Sequence, residues 1–100
     1  MTFGYKNIDF VNSPKIVEPL EKAIRDINNY RYVPEHSPFK TAIEFKAGNY
    51  DFVAYLVPSK FIPLMGYRPR QWLIYNKDDN WINAPFCRVL DSDIKKPIIN

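Results

Sequence analysis

The clearest hydrophobic pattern in the chain is an alternation of apolar and polar residues over 41–46, followed by an apolar run over 50–57. Residues 47–49, Ala-Gly-Asn, supply turn chemistry between the two segments and predict a β-hairpin. The second segment is apolar on both faces after Asp51, which is typical of a strand at the centre of a sheet. We expect a helix to cover one of its faces and something else, such as a partner subunit, to cover the other.

A helix-start signal and an apolar stripe with helical spacing precede this hairpin. Ser13 followed by Pro14 is typical of an N-cap and a first helical turn. The stripe that should face the core consists of Ile16, Leu20, Ala23, Ile24 and Ile27. Because Pro19 disfavours helix at the preceding residue, two interpretations stay open. Either the helix starts near Pro14, or a separate turn precedes a regular helix over 19–29.

A second hairpin is predicted towards the C-terminus. Residues 71–75 form an apolar strand pattern, the polar run 76–80 is typical of a turn, and 81–84 can pair back before the next proline. Trp72 and Trp81 would then be near cross-strand neighbours, and such aromatic pairs stabilise hairpins.

The remaining segments give weaker signals. The prolines and Gly66 in 59–69 predict a surface loop, 5–11 predicts a short strand or extended lead-in, and 88–93 predicts a short helical turn. Together these elements predict an α+β fold: one helix packed on a small antiparallel sheet of four or five strands built from two β-hairpins.

Length and composition limit the class of protein. One hundred residues suffice for a single domain covering 1–100, and 46% hydrophobic with 16% aromatic residues is not a disordered composition. No signal peptide is visible, and no apolar run approaches the roughly 20 residues that span a bilayer, so we expect no membrane association. The single Cys87 excludes an intramolecular disulfide and favours the cytoplasm.

Residues that metal and catalytic sites need are scarce. His36 is the only histidine and Cys87 the only cysteine, and no carboxylates accompany His36 at ligand spacing. Gly4, Gly48 and Gly66 are isolated, whereas phosphate-binding loops need clustered glycines. We therefore expect no metal, no cofactor and no enzymatic activity, with Cys87 as a small core residue. A nuclease built from Arg, Tyr and His36 is the enzymatic alternative.

Charge singles out one segment. The net charge of +3 is modest, but residues 52–77 contain no acid. Residues 67–72, Tyr-Arg-Pro-Arg-Gln-Trp, bring together two guanidinium groups and two aromatic rings, a combination that can hold a phosphate and a base. The candidate ligand- or partner-binding residues are Lys60, Tyr67, Arg68, Arg70, Trp72, Lys77 and Trp81. In the alternative interpretation the aromatic residues are core or hairpin packing and the arginines point to solvent.

Short pieces of the chain resemble a known family. Residues 1–4, the strand 52–58, the turn 76–80 and the Asp93-Ile94 ending resemble small phage proteins that sequester the cyclic nucleotide signal of the Thoeris defence system. The resemblance implies an oligomeric sponge that binds a small nucleotide between subunits without catalysis. No functional residue is carried over from that family.

The leading functional hypothesis is a small non-catalytic phage or mobile-element protein acting in the host cytoplasm. It would inhibit or sequester a host defence component, either a protein or a small anionic nucleotide, as a homo-oligomer. One alternative is a nucleic-acid-binding domain that uses the basic aromatic segment. Another is a toxin-immunity protein.

Overall fold

The computed structural model describes residues 8–95, in which one helix covers a four-stranded antiparallel sheet and a two-stranded sheet lies apart from it. The elements in chain order are α1 (Pro14–Ile24), β1 (Ala42–Ala47), β2 (Tyr50–Val57), β3 (Lys60–Ile62), β4 (Gly66–Arg68), β5 (Gln71–Asn76) and β6 (Cys87–Leu90). The large sheet has the order β1-β2-β5-β6, and β3 pairs with β4. The predicted α+β fold is confirmed. Within residues 8–95 no helix has the length and apolarity needed to cross a bilayer.

Helix α1 begins where its capping residues predict. The Ser13 hydroxyl accepts a hydrogen bond from the Lys15 N–H at 3.3 Å. Pro19 lies inside the helix, so the alternative of a separate turn followed by a helix over 19–29 is wrong. The proline removes one backbone donor, and packing of the buried face offsets that loss. The buried face consists of Val17, Leu20 and Ala23. Ile27, predicted to face the core, is 76% exposed because it lies beyond the end of the helix.

The large sheet separates two cores, because side chains alternate between its faces along each strand. The helix-side core includes Ile43, Phe45, Phe52, Ala54, Trp72, Ile74, Cys87 and Val89. The opposite core consists of Phe39, Ala42, Val53, Tyr55, Val57, Leu73 and Tyr75. Val33 and Trp81, from two loops of the same chain, pack against this second core.

Strand β2 is central, as the sequence predicts. It pairs with β1 on one side and with β5 on the other, and the turn between β1 and β2 contains Gly48 at φ +63°. The second face of β2 is covered by this chain's own loops, so its burial does not require a partner subunit.

The predicted return strand over 81–84 is wrong: β5 pairs with β6, placing Trp72 opposite Val89. Local hydrogen bonds fold the intervening chain into turns, since the Asn80 side chain accepts from the Ile82 N–H at 2.9 Å. Pro85 cannot donate to a ladder. The chain rejoins the sheet only where the Phe86 N–H donates to the Ile74 carbonyl at 2.7 Å.

Three other predictions change in detail. The loop predicted over 59–69 contains the hairpin of β3 and β4. The helical turn predicted over 88–93 is confined to Asp91–Asp93, because the residues before it form β6. The strand predicted over 5–11 lies partly outside the described residues. Its described end runs parallel to β6, where the Val11 N–H donates to the Arg88 carbonyl at 2.8 Å.

Candidate functional site

A short hairpin connects the two central strands β2 and β5. We call residues 60–68 the β3–β4 arm; it comprises β3, β4 and the turn between them. Its cross-strand pairs include Phe61 with Tyr67, and the Met65 N–H donates to the Ile62 carbonyl at 3.0 Å to close the turn. A two-stranded hairpin has little intrinsic stability, so the arm depends on its own turn and on its attachment to the sheet.

The turn of the arm is built unusually. Pro63 occupies the second position, which its fixed φ suits, and Leu64 occupies the third position with φ +70°. A positive φ there is normally supplied by glycine, and a leucine in that conformation costs about 1–2 kcal/mol. The Leu64 side chain makes no compensating packing, because it is fully exposed (106%).

Four large apolar side chains of the arm are exposed. Phe61 and Met65 are each 68% exposed and Tyr67 is 69% exposed, in addition to Leu64. Single exposed apolar residues are ordinary, but a contiguous group of them marks a site of interaction. Directly paired strand residues share one face, so Phe61 and Tyr67 project from the same side of the arm.

The opposite face of the arm lies closer to the body of the protein. Ile62 and Arg68 are half-buried there and line a shallow cavity of about 280 Å³, whose lining also includes Phe10 and two of the exposed side chains, Met65 and Tyr67. The Arg68 Nη2 donates to the Pro58 carbonyl at 3.0 Å, while its Nε is buried without a partner. The guanidinium group thus fixes the base of the arm.

The four cations of the acid-free segment differ in their pairing. Arg70 Nε lies 3.4 Å from an Asp91 carboxylate oxygen, and Lys77 Nζ lies 3.4 Å from a Glu44 carboxylate oxygen. Within residues 8–95 no carboxylate forms an ion pair with Lys60 or Arg68. The positive charge of the arm itself is therefore uncompensated.

The structure brings together only part of the predicted site. Lys60, Tyr67 and Arg68 share the β3–β4 arm, and Arg70 follows it directly. Lys77 lies beyond β5, where it pairs with Glu44 as described above.

The two tryptophans lie apart from the arm and from each other. Trp72 is 3% exposed, and its Nε1–H donates to an Asp91 carboxylate oxygen at 2.9 Å, so its ring offers no accessible face. Trp81 packs against Phe39 on the opposite side of the sheet, with ring centroids 6.4 Å apart. The predicted cross-strand pairing of Trp72 and Trp81 is therefore wrong.

Sequence reasoning missed the apolar members of the surface, namely Phe61, Leu64 and Met65. Two signals could have located them. No acids surround them, and the sequence Ile-Pro-Leu-Met has its proline at the second position of a possible turn, where proline is favoured. Alternation could not reveal them, since a three-residue strand is too short to show a period.

The residues most able to carry out chemistry lie elsewhere. Cys87 is buried in β6, and burial raises the pKa of its thiol to about 11, so it is a neutral thiol at neutral pH. His36 is exposed in the loop before β1. Among residues 8–95, no group of three His, Cys, Asp or Glu side chains is placed to hold a metal ion.

Comparison of the chain with protein-family models, with curated proteins and with solved structures finds no match. Its function is therefore inferred from the chemistry of its own residues.

Proposed function

We propose that this chain is a small non-catalytic binding protein that inhibits or sequesters a partner protein, and that the β3–β4 arm makes the contact. The observation that supports this most directly is the group of four large apolar side chains, each more than two-thirds exposed, on one hairpin. Aromatic anchors in such groups commonly contribute about 2 kcal/mol or more to binding when they enter a pocket. Phe61 and Tyr67 are the anchors in this proposal.

The charge of the arm favours an acidic partner. Lys60 and Arg68 form the cross-strand pair on the face opposite Phe61 and Tyr67, so they would lie at the edge of the contact. Neither has an ion-pair partner within residues 8–95, and no acid occurs anywhere in 52–77. The complementary surface is therefore an apolar groove with acidic residues at its rim. Two copies of the arm would bring like charges together, so a homo-oligomer would use another surface. In this proposal the partner is a host defence protein, met in the cytoplasm by a phage or mobile-element product.

A protein partner fits the arm better than a nucleotide or a nucleic acid. Leu64 and Met65 at its tip offer neither hydrogen bonds nor a stacking face, whereas they suit an apolar pocket. Of the two rings that could stack on a base, Trp72 is buried and only Tyr67 is exposed, and the charge of Arg70 is already paired with a carboxylate.

A matched pair of surface variants tests the proposal. The double variant Phe61→Ser with Tyr67→Ser removes both anchors, and Tyr50→Ser removes an equally exposed tyrosine (67%) away from the arm. Because these side chains are exposed, each change should alter the free energy of unfolding by no more than about 0.5 kcal/mol per residue. We expect a partner captured by the wild type from its host to be retained by Tyr50→Ser and lost by the arm variant.

Two results would contradict the proposal. Retention of the partner by the arm variant would remove the arm from the interface. A captured species that nuclease destroys, with binding that weakens steeply as salt rises, would support the nucleic-acid alternative instead.

A further inference from the structure

A cavity separate from the β3–β4 arm lies on the side of the sheet away from α1. It encloses about 490 Å³ between the loop containing residues 31–37 and the turn at 80–82. Among residues 8–95 its lining includes Arg31, Tyr32, His36, Tyr55, Asn80 and Trp81 and no acidic residue, although Glu35, Asp78 and Asp79 lie within two residues of it in the sequence. None of these residues belongs to the arm, so the cavity is independent of the proposed protein-binding surface.

The aromatic part of the cavity is held in place by the second core. The Tyr55 ring lies 5.2 Å from Phe39 and 5.5 Å from Tyr75, measured between centroids. Trp81 contacts Phe39, and its carbonyl accepts a hydrogen bond from the Tyr75 hydroxyl at 3.2 Å. Tyr32, by contrast, is 82% exposed at the mouth. The floor and one wall are thus preformed, which lowers the entropic cost of binding a flat ligand.

Tyr55 also offers a polar group to this cavity. The residue is 7% exposed, yet its hydroxyl makes no hydrogen bond to any other residue between 8 and 95. The hydroxyl is accessible to solvent, since it is not one of the buried polar atoms that lack a partner, and a ligand with a polar group could replace that solvent. A ligand oxygen in the cavity would be such a group.

The cationic group of the cavity is Arg31, which shares one carboxylate with Lys77. Arg31 Nε and Lys77 Nζ lie 3.5 Å and 3.4 Å from the two oxygens of the same Glu44 carboxylate. The Arg31 Nη1 donates to the Lys77 carbonyl at 3.5 Å, and its Nη2 has no partner within residues 8–95. This nitrogen is available to an anion at the cavity edge.

We infer that the cavity binds a small planar aromatic carboxylate. Its ring would lie against Trp81 and Tyr32, and its carboxylate would accept hydrogen bonds from Arg31 Nη2. The planar guanidinium fork of Arg31 suits a planar carboxylate, and the neighbouring acids Glu35, Asp78 and Asp79 disfavour a phosphate monoester with about two negative charges. The ligand would be bound without chemical change.

Calorimetry with defined probes tests this inference. The probes are 2-naphthoate, which has both ring and charge, 2-naphthalenemethanol, which has the ring alone, and acetate, which has the charge alone. We expect 2-naphthoate to bind at least about tenfold more tightly than either, since only this probe gains both the ring contacts and a charge-assisted hydrogen bond. Arg31→Gln should weaken the binding of 2-naphthoate by a similar factor. Arg25 is an exposed arginine at the end of α1, and Arg25→Gln should leave this binding unchanged.

The remaining outcomes would overturn the assignment. No binding of 2-naphthoate, equal binding of the neutral alcohol, or insensitivity to Arg31→Gln would each refute it. Tighter binding of adenosine monophosphate than of 2-naphthoate would show that the cavity prefers a phosphate. Tyr32→Ser is a second test, because the Tyr32 side chain is too exposed to matter for folding. This variant should weaken the binding of 2-naphthoate but not the binding of acetate.

Discussion

The buried contact between Trp72 and Asp91 joins β5 to the turn after β6. The Trp72 Nε1–H donates to one Asp91 carboxylate oxygen at 2.9 Å, and Arg70 Nε lies 3.4 Å from the other. Replacement of Asp91 by alanine leaves an indole N–H unpaired in the helix-side core, which costs about 1–3 kcal/mol. Because Arg70 is half exposed, loss of its ion pair adds only about 0–1 kcal/mol. We therefore expect Asp91→Ala to lower the free energy of unfolding by about 1–4 kcal/mol.

Urea denaturation of a double-mutant cycle measures this contribution. Trp72→Phe removes the donor and keeps a ring, so Asp91→Ala should cost about 1–2 kcal/mol less in that background than in the wild type. Asp93→Ala changes an exposed carboxylate in the same short turn and should stay within about 0.5 kcal/mol. Additive effects of Asp91→Ala and Trp72→Phe would refute the reasoning, since the two groups would then not be coupled.

Two further changes test the core and the helix. Burial raises the pKa of the Cys87 thiol from 9.0 to about 11. Between pH 9 and pH 11 the thiol therefore keeps its proton in the native state and loses it in the unfolded chain. This contribution to stability is complete below pH 9 and is lost as the pH rises towards 11. Between these pH values the free energy of unfolding of the wild type should fall by about 2–3 kcal/mol more than that of Cys87→Ala. Parallel pH dependences of the two proteins would contradict this prediction. Ser13→Ala removes the N-cap of α1 and should cost about 1 kcal/mol by denaturation, whereas Ser13→Gly should cost only a few tenths; equal costs would argue against a capping role.

The parts of the fold that local pattern specifies were predictable. The central hairpin follows directly from local pattern. Apolar and polar residues alternate in β1, Gly48 lies in the turn, and β2 is apolar on both faces. The Ser13 cap gives the start of α1, although Pro19 was a misleading signal, because a proline removes only one donor and the buried helix face tolerates that loss.

The parts that depend on tertiary contacts were not predictable. Residues 81–84 follow a turn and contain apolar side chains, so they resemble a return strand. In the structure Trp81 packs against the second core instead of joining a strand, and β5 pairs with β6. The sequence located the acid-free segment but could not show that Trp72 is buried while Phe61 is exposed, since aromatic residues of both kinds occur there. The role of the predicted site residues stays a prediction.

The position of the β3–β4 arm has an evolutionary consequence. The arm is inserted between two neighbouring strands whose pairing begins at Val57 opposite Gln71 and runs away from it. Changes in its length or composition therefore leave the ladder and both cores in place, and lengthening a surface connection carries only a small entropic cost. The arm is therefore the part of the fold in which length and composition can vary most freely.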